Sequence, residues 1–79
     1  MTIGRDAFLQ RVRDAVLAKF SQHDDLRAVL LSTGDAALVE HTERDAYWGD
    51  GGDGSGKNML GIILMEVRAE LRKQDRSGA

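Results

Sequence analysis

Residues 45–73 read DAYWGDGGDGSGKNMLGIILMEVRAELRK. The stretch joins two opposite kinds of sequence. Up to Gly61 it holds six of the nine glycines, the only Trp, the only Tyr and three aspartates. No packing scheme needs that mixture. Beyond it, Leu60, Ile63, Leu64, Val67 and Leu71 recur at three- and four-residue steps. That spacing stacks them on one face of a helix from about Asn58 to Lys73. Ile62 and Met65 widen the apolar face, making it broader than so short a chain can cover by itself. Glu66 and Arg68 are expected on the wet side.

Upstream of the loop, Ala36-Ala37-Leu38-Val39-Glu40 is a short apolar run whose length suits a strand better than a helix. His41 to Arg44 is polar connection. Before the run, Thr33-Gly34-Asp35 stops a short helix from about Asp25 to Ser32, with Gly34 as its left-handed C′ residue and Leu26, Val29 and Leu30 facing inward. Ser21 to Asp25 supplies turn residues and N-cap candidates. The first helix, about Arg5 to Phe20, aligns Phe8, Leu9, Val12, Val16 and Phe20 on one side. Arg5, Arg11, Arg13, Asp14 and Lys19 supply its wetter side. Residues 74–79 read as a disordered polar tail. The fold class is therefore α+β and mainly α-helical, with three helices, one short strand and a glycine-rich loop.

At 79 residues there is room for one domain at most, and a small one. Cysteine is absent, which excludes a disulfide framework, a thiolate metal site and a Cys nucleophile. His23 and His41 are too few and too far apart for a zinc site, and they read as exposed turn residues. A net charge of −2 with interspersed signs does not make a strong nucleic-acid surface. No signal peptide and no membrane-spanning run are visible, so a cytoplasmic protein without a membrane partner is expected.

Three templates bear on the loop. Gly51 and Gly56-Lys57 match a phosphate-binding G-x-x-x-x-G-K, but Asn58 stands where Ser or Thr would hold magnesium, and Asp50 and Asp53 would repel a triphosphate. Asp50, Asp53 and Ser55 are hard oxygen donors, yet they miss the EF-hand register, and Glu66 comes too late. The third template is a site for a sugar–base conjugate. Breaking an N-glycosidic bond develops positive charge on the sugar, which a carboxylate stabilises. An indole stacks on a base or sugar face, glycines admit close backbone approach, and free amides at a helix start favour phosphate. Asp45, Trp48, the glycine run and the final helix supply those four kinds of part. Lys57 is either a phosphate partner or a solvent charge at the helix entry. Plainer roles exist for the others: Trp48 as a core anchor, Asp45 as a turn acid, Asp50 and Asp53 as solvated turn residues, Asn58 as the helix N-cap.

Residues 30–68 carry Leu30-Leu31, Thr33-Gly34-Asp35, Leu38-Val39-Glu40, Asp45, Trp48-Gly49, Asn58, Leu60-Gly61 and Leu64-Met65 with Arg68. Lys19-Phe20 followed by Gln22 extends the series upstream, with His23 where Asn is expected. This pattern resembles the C-terminal half of the NADAR, or YbiA-like, family. The resemblance implies hydrolysis of an N-glycosidic bond, either in a phosphoribosyl intermediate of the riboflavin pathway or in an ADP-ribose conjugate such as ADP-ribosylated guanine. It implies Asp45 as the active-site carboxylate, Trp48 as a stacking wall, and Gly49 and Asn58 as shaping or contacting the ligand, with no metal or organic cofactor. Family members are commonly longer, and their N-terminal half adds further site residues, an acidic one included. A separately encoded N-terminal half or a homo-oligomer is therefore an expected partner. A non-catalytic ADP-ribose or nucleotide-binding module, or an inactive remnant, is the alternative to the enzyme.

Overall fold

The computed structural model describes residues 5–77, with side chains placed for 7–75. The expectation for the Arg5 side chain lies outside the described residues, as do tail residues 78 and 79. Three helices are present: α1 (Arg5–Gln22), α2 (Asp24–Ser32) and α3 (Met59–Ser77). Each packs on the other two. Leu30 of α2 and Ile63, Val67 and Leu71 of α3 form the buried core. Leu9, Val12, Val16, Leu17 and Phe20 from α1 lean on it, with Leu38 and Trp48 from the connecting segment. The helical periodicities thus place the core where the spacing predicts, with α3 at its centre.

Several expectations need correction. Among the described residues there is no strand, and the fold is all-helical outside an irregular segment from 33 to 58. Residues 36–40 fail as a strand because their backbone groups are taken individually. The Asn58 amide donates from Nδ2 to the Leu38 carbonyl (2.9 Å) and accepts at Oδ1 from the Glu40 N–H (2.8 Å). The Glu40 carbonyl accepts from the Asp50 N–H at 2.8 Å. α3 continues to Ser77, through residues 74–77 of the expected tail, and Arg27 of α2 ion-pairs with Asp75 there. Val29 does not face inward: it is 65% exposed, and Phe8 is 50% exposed.

Arg68 is also misplaced by its charge, being 6% exposed rather than wet. Its guanidinium donates from Nη1 to Thr33 Oγ1 at 2.8 Å. One turn on, Arg72 donates to the Gly34 carbonyl and pairs with Asp35 Oδ1 at 2.9 Å. Gly34 is left-handed (φ 63°), as a C′ glycine should be, while Thr33 closes α2 by donating its N–H to Leu30 O. Two arginines of α3 therefore grip the end of α2, where the helix dipole is negative. Arg13, expected on the wet side, reaches across from α1 to Glu66, although its Nε makes no well-directed hydrogen bond. A half-exposed pair of this kind adds little to stability.

Candidate functional site

The loop folds back onto the start of α3. Carbonyls of Tyr47, Trp48 and Gly49 accept the N–H groups of Met59, Leu60 and Asn58 at 2.9 Å each. The Ala46 carbonyl takes the Lys57 N–H at 2.7 Å. A helix start normally leaves its first amides unsatisfied and open to an anion. Here the aromatic turn supplies the acceptors, so the expected phosphate cradle of free amides is not present at Met59 and Leu60. The same bonds fix the Trp48 backbone against α3.

Asp45 sets the geometry of that turn. Its Oδ1 accepts both the Tyr47 N–H (2.9 Å) and the Trp48 N–H (2.8 Å). Oδ2 carries no hydrogen bond from the described residues. The carboxylate thus has a turn role through one oxygen, with the other left to solvent or ligand. Trp48 is half-buried, edge-on to Tyr47 (centroids 5.0 Å, 84°) and to Phe8 of α1 (6.3 Å, 61°). It serves as a core anchor, while its incomplete burial leaves part of the side chain accessible. Lys57 Nζ stands 5.8 Å from the Tyr47 ring centroid, within cation–π range.

Gly49 is buried, and a Cβ there would come within 2.6 Å of Thr42 Cγ2 and the Glu40 carbonyl. Its smallness serves the meeting of two chain segments. Asn58 adopts a left-handed φ of 51° and spends its amide on Leu38 and Glu40, so its side chain ties the loop down instead of capping α3. The five candidates come together in one knot, but the protein's own backbone occupies more of their polar atoms than the sequence implied.

Asp50 is the residue that sequence reasoning missed. Read as a solvated turn acid, it is 7% exposed. Its Oδ1 accepts the N–H of Gly52 (2.8 Å) and of Thr42 (3.1 Å), and Oδ2 accepts from His41 Nδ1 at 2.8 Å. The hydrogen bond and charge of Asp50 hold the His41 pKa above its usual 6.5. The His41 hydrogen bond, then the Gly52 amide, holds the Asp50 carboxyl below its usual 3.8. Asp53 is lowered too, by the Ser55 hydroxyl and N–H. No local pattern announces Asp50; the one signal was a histidine nine residues upstream of an acid followed by two glycines, both left-handed in the fold.

The pair makes loop stability depend on pH. A raised His41 pKa contributes fully below the unfolded value of about 6.5 and is lost as pH rises through the higher folded value. A lowered Asp50 pKa contributes above about 3.8 and is lost as pH falls through the lower folded one. The loop is thus firmest between those two ordinary values. Following the His41 ring by NMR should give a titration above that of the unfolded chain, and Asp50→Asn should bring it down. An unchanged His41 titration in Asp50→Asn would break the assignment.

Among the described residues no three His, Cys, Asp or Glu side chains cluster to hold a metal, and no helix is long and apolar enough to cross a membrane.

The loop, the Asn58 tie and the arginine grip on the Thr-Gly-Asp turn all lie within one recognised domain. The NADAR domain matches residues 6–72, and the chain belongs to that family. It is similar to the N-glycosidase YbiA of Escherichia coli strain K12, at 64% identity over 62 residues, taking in 78% of this chain and 39% of that protein. A riboflavin biosynthesis protein of Vibrio vulnificus is 52% identical over 68 residues, 86% of this chain and 18% of the other. The NMR structure of E. coli YbiA matches with a TM-score of 0.80 at 52% identity, over 94% of this chain and 46% of that one. The chain spans about two fifths of the length of the YbiA relatives it matches.

Proposed function

We propose that this chain carries the substrate loop of an N-glycosidase acting on a ribosyl-phosphate or ADP-ribosyl substrate. A riboflavin-pathway intermediate or ADP-ribosylated guanine fits that class. The observation that carries the reading is the coupling of Asp45 to Trp48: one carboxylate oxygen accepts the main-chain N–H of Trp48 at 2.8 Å, within a chain of the NADAR family. A carboxylate and a stacking surface are thereby locked together on one turn.

In the reaction, water adds its oxygen to the anomeric carbon while the carbon–nitrogen bond breaks, and the leaving nitrogen takes up a proton. Positive charge grows on the sugar ring in between. Asp45 stabilises that charge or orients the water through Oδ2. Trp48 stacks on the base or sugar, and Lys57 meets phosphate. Gly49 and Asn58 act by holding the loop's shape. The names of the relatives support the bond type, and the engagement of Asp45 Oδ1 and of the first α3 amides by the protein's own backbone favours one further reading, a module that binds ADP-ribose without turning it over.

Thermal melts with ADP-ribose and with a phosphoribosylamino-pyrimidine, with products followed by mass spectrometry, separate the two. A rise in Tm with release of free base supports the enzyme, and a rise without release supports the binding module. No shift with either compound would sink both.

A further inference from the structure

The proposed reaction needs a proton at the leaving nitrogen, a task for a side chain that titrates near neutrality. Imidazole is the side chain that does so. His41 stands in the site loop with an acid behind it. Asp50 is buried, and the N–H groups of Thr42 and Gly52 hold its Oδ1. Its Oδ2 faces His41 Nδ1 at 2.8 Å. An ionised carboxylate only accepts, so Nδ1 carries the hydrogen, and the proton that the charged ring can give sits on Nε2. The imidazole itself is 71% exposed. A buried, doubly anchored carboxylate that fixes an outward ring is the arrangement of a proton-transferring histidine.

The backbone brings this pair to the Asp45 turn. The Glu40 carbonyl accepts the Asp50 N–H (2.8 Å), and the Asp45 carbonyl accepts that of the next residue, Gly51 (3.3 Å). The chain beside His41 and the chain at Asp45 thus hang on consecutive residues. Thr42 and Asp45 meet again at Gly49, where a Cβ would lie 2.5 Å from Thr42 Cγ2 and 3.1 Å from the Asp45 carbonyl.

We propose that His41 is the general acid of the site, protonating the leaving nitrogen from Nε2, with Asp50 as its positioning residue. The inference rests on the N-glycosidase reading. As the bond from the anomeric carbon breaks, its electron pair stays on the nitrogen, which takes the Nε2 proton and leaves the ring neutral. Water bonds to the anomeric carbon and releases one proton to solvent, from which the open ring is recharged. The Asp50 hydrogen bond and charge hold the ring above its usual 6.5, so more of it is charged in neutral solution. Asp50 is the charged group bonded to the ring, with Glu40, Glu43 and Arg44 its charged neighbours in sequence.

The test assays the full chain on two ribosyl 5′-phosphates. A phosphoribosylamino-pyrimidine needs a proton to release a neutral amine, whereas a pyridinium N-riboside releases neutral pyridine without one. His41→Asn puts an amide donor opposite Asp50 and removes the acid. It should lower kcat on the amino-pyrimidine about 10²-fold more than on the pyridinium compound. It should also abolish the fall in kcat as pH rises through the His41 pKa, a fall that Asp50→Asn moves to lower pH. Equal losses on both substrates, or none, overturn the proposal alone, because a ring that merely staples the loop affects both alike. No turnover of either substrate by the wild-type chain sinks the reaction and the proposal together. Should His41→Asn fail to fold, ¹⁵N NMR of the wild-type ring decides. Saturating ADP-ribose, whose anomeric hydroxyl stands where the nitrogen departs, should shift Nε2, and an unmoved Nε2 overturns the proposal.

Discussion

Asp45→Asn keeps the chain folded and lowers hydrolysis by about 10²–10³-fold. The substitution is chosen from the geometry. Asp45 Oδ1 accepts two backbone N–H groups, from Tyr47 and Trp48, and an Asn amide oxygen can accept both, because Asn and Asp support the same kind of turn. What Asn removes is the negative charge. A carboxylate about 4 Å from a developing cation is worth a few kcal/mol at an effective dielectric near 20, which matches the expected loss of rate. Asp45→Ala is the contrasting variant. It removes the acceptor as well, and leaving the two turn amides without it destabilises the loop by about 1–2 kcal/mol. Melting temperature and turnover should therefore separate: Asn changes only turnover, and Ala changes both. The assay follows release of free base by the chain, read by mass spectrometry. If Asp45→Asn turns over at the wild-type rate, Asp45 is a turn residue only.

The sequence exposes the helices because their signal is local. Ile63, Val67 and Leu71 repeat at helical spacing, and all three are buried to within 1% of their surface. It misleads wherever a polar group is satisfied from afar. Arg68 looks wet, but its acceptor, Thr33 Oγ1, lies 35 positions back. The run at 36–40 looks like a strand since apolar residues crowd it, yet its hydrogen bonds run to the side chain of Asn58 and the amide of Asp50. Nothing in periodicity encodes those partners. The candidate site behaves likewise. That Asp45, Trp48, Gly49, Lys57 and Asn58 lie in one segment was legible, whereas the burial of Asp50 and the occupation of the α3 amides by Tyr47 and Trp48 carbonyls were not, because they depend on how the glycines let the loop turn back. Gly51, Gly52 and Gly54 all take positive φ in that reversal.

Gly61→Ala gives the sharpest test of that knot, since two effects oppose each other and their magnitudes decide the sign. Gly61 is the third residue of α3, and helix propensity alone would make Ala there stabilising by about 1 kcal/mol. A Cβ at this position, however, runs into the Leu38 carbonyl and the side-chain amide of Asn58. Those are the two groups bonded to each other at 2.9 Å, with Asn58 also holding Glu40. Displacing Asn58 forfeits both bonds, at about 1 kcal/mol each, and crowding the junction adds about 1–3 kcal/mol. After the propensity gain, the net effect is destabilising by about 2–4 kcal/mol, a fall in Tm of about 10–30 °C for a domain this small. A circular-dichroism melt reads it directly, and an unchanged or raised Tm would show that the contact relaxes without loss. The displacement also travels: the Glu40 carbonyl accepts the Asp50 N–H, and Asp50 organises Thr42, Gly52 and His41. Ligand binding should therefore weaken together with stability, although Gly61 lies among none of the candidate site residues. The glycine of the Asn-x-Leu-Gly pattern is then explained by packing: it lets Asn58 fasten the site loop to residues 38–40.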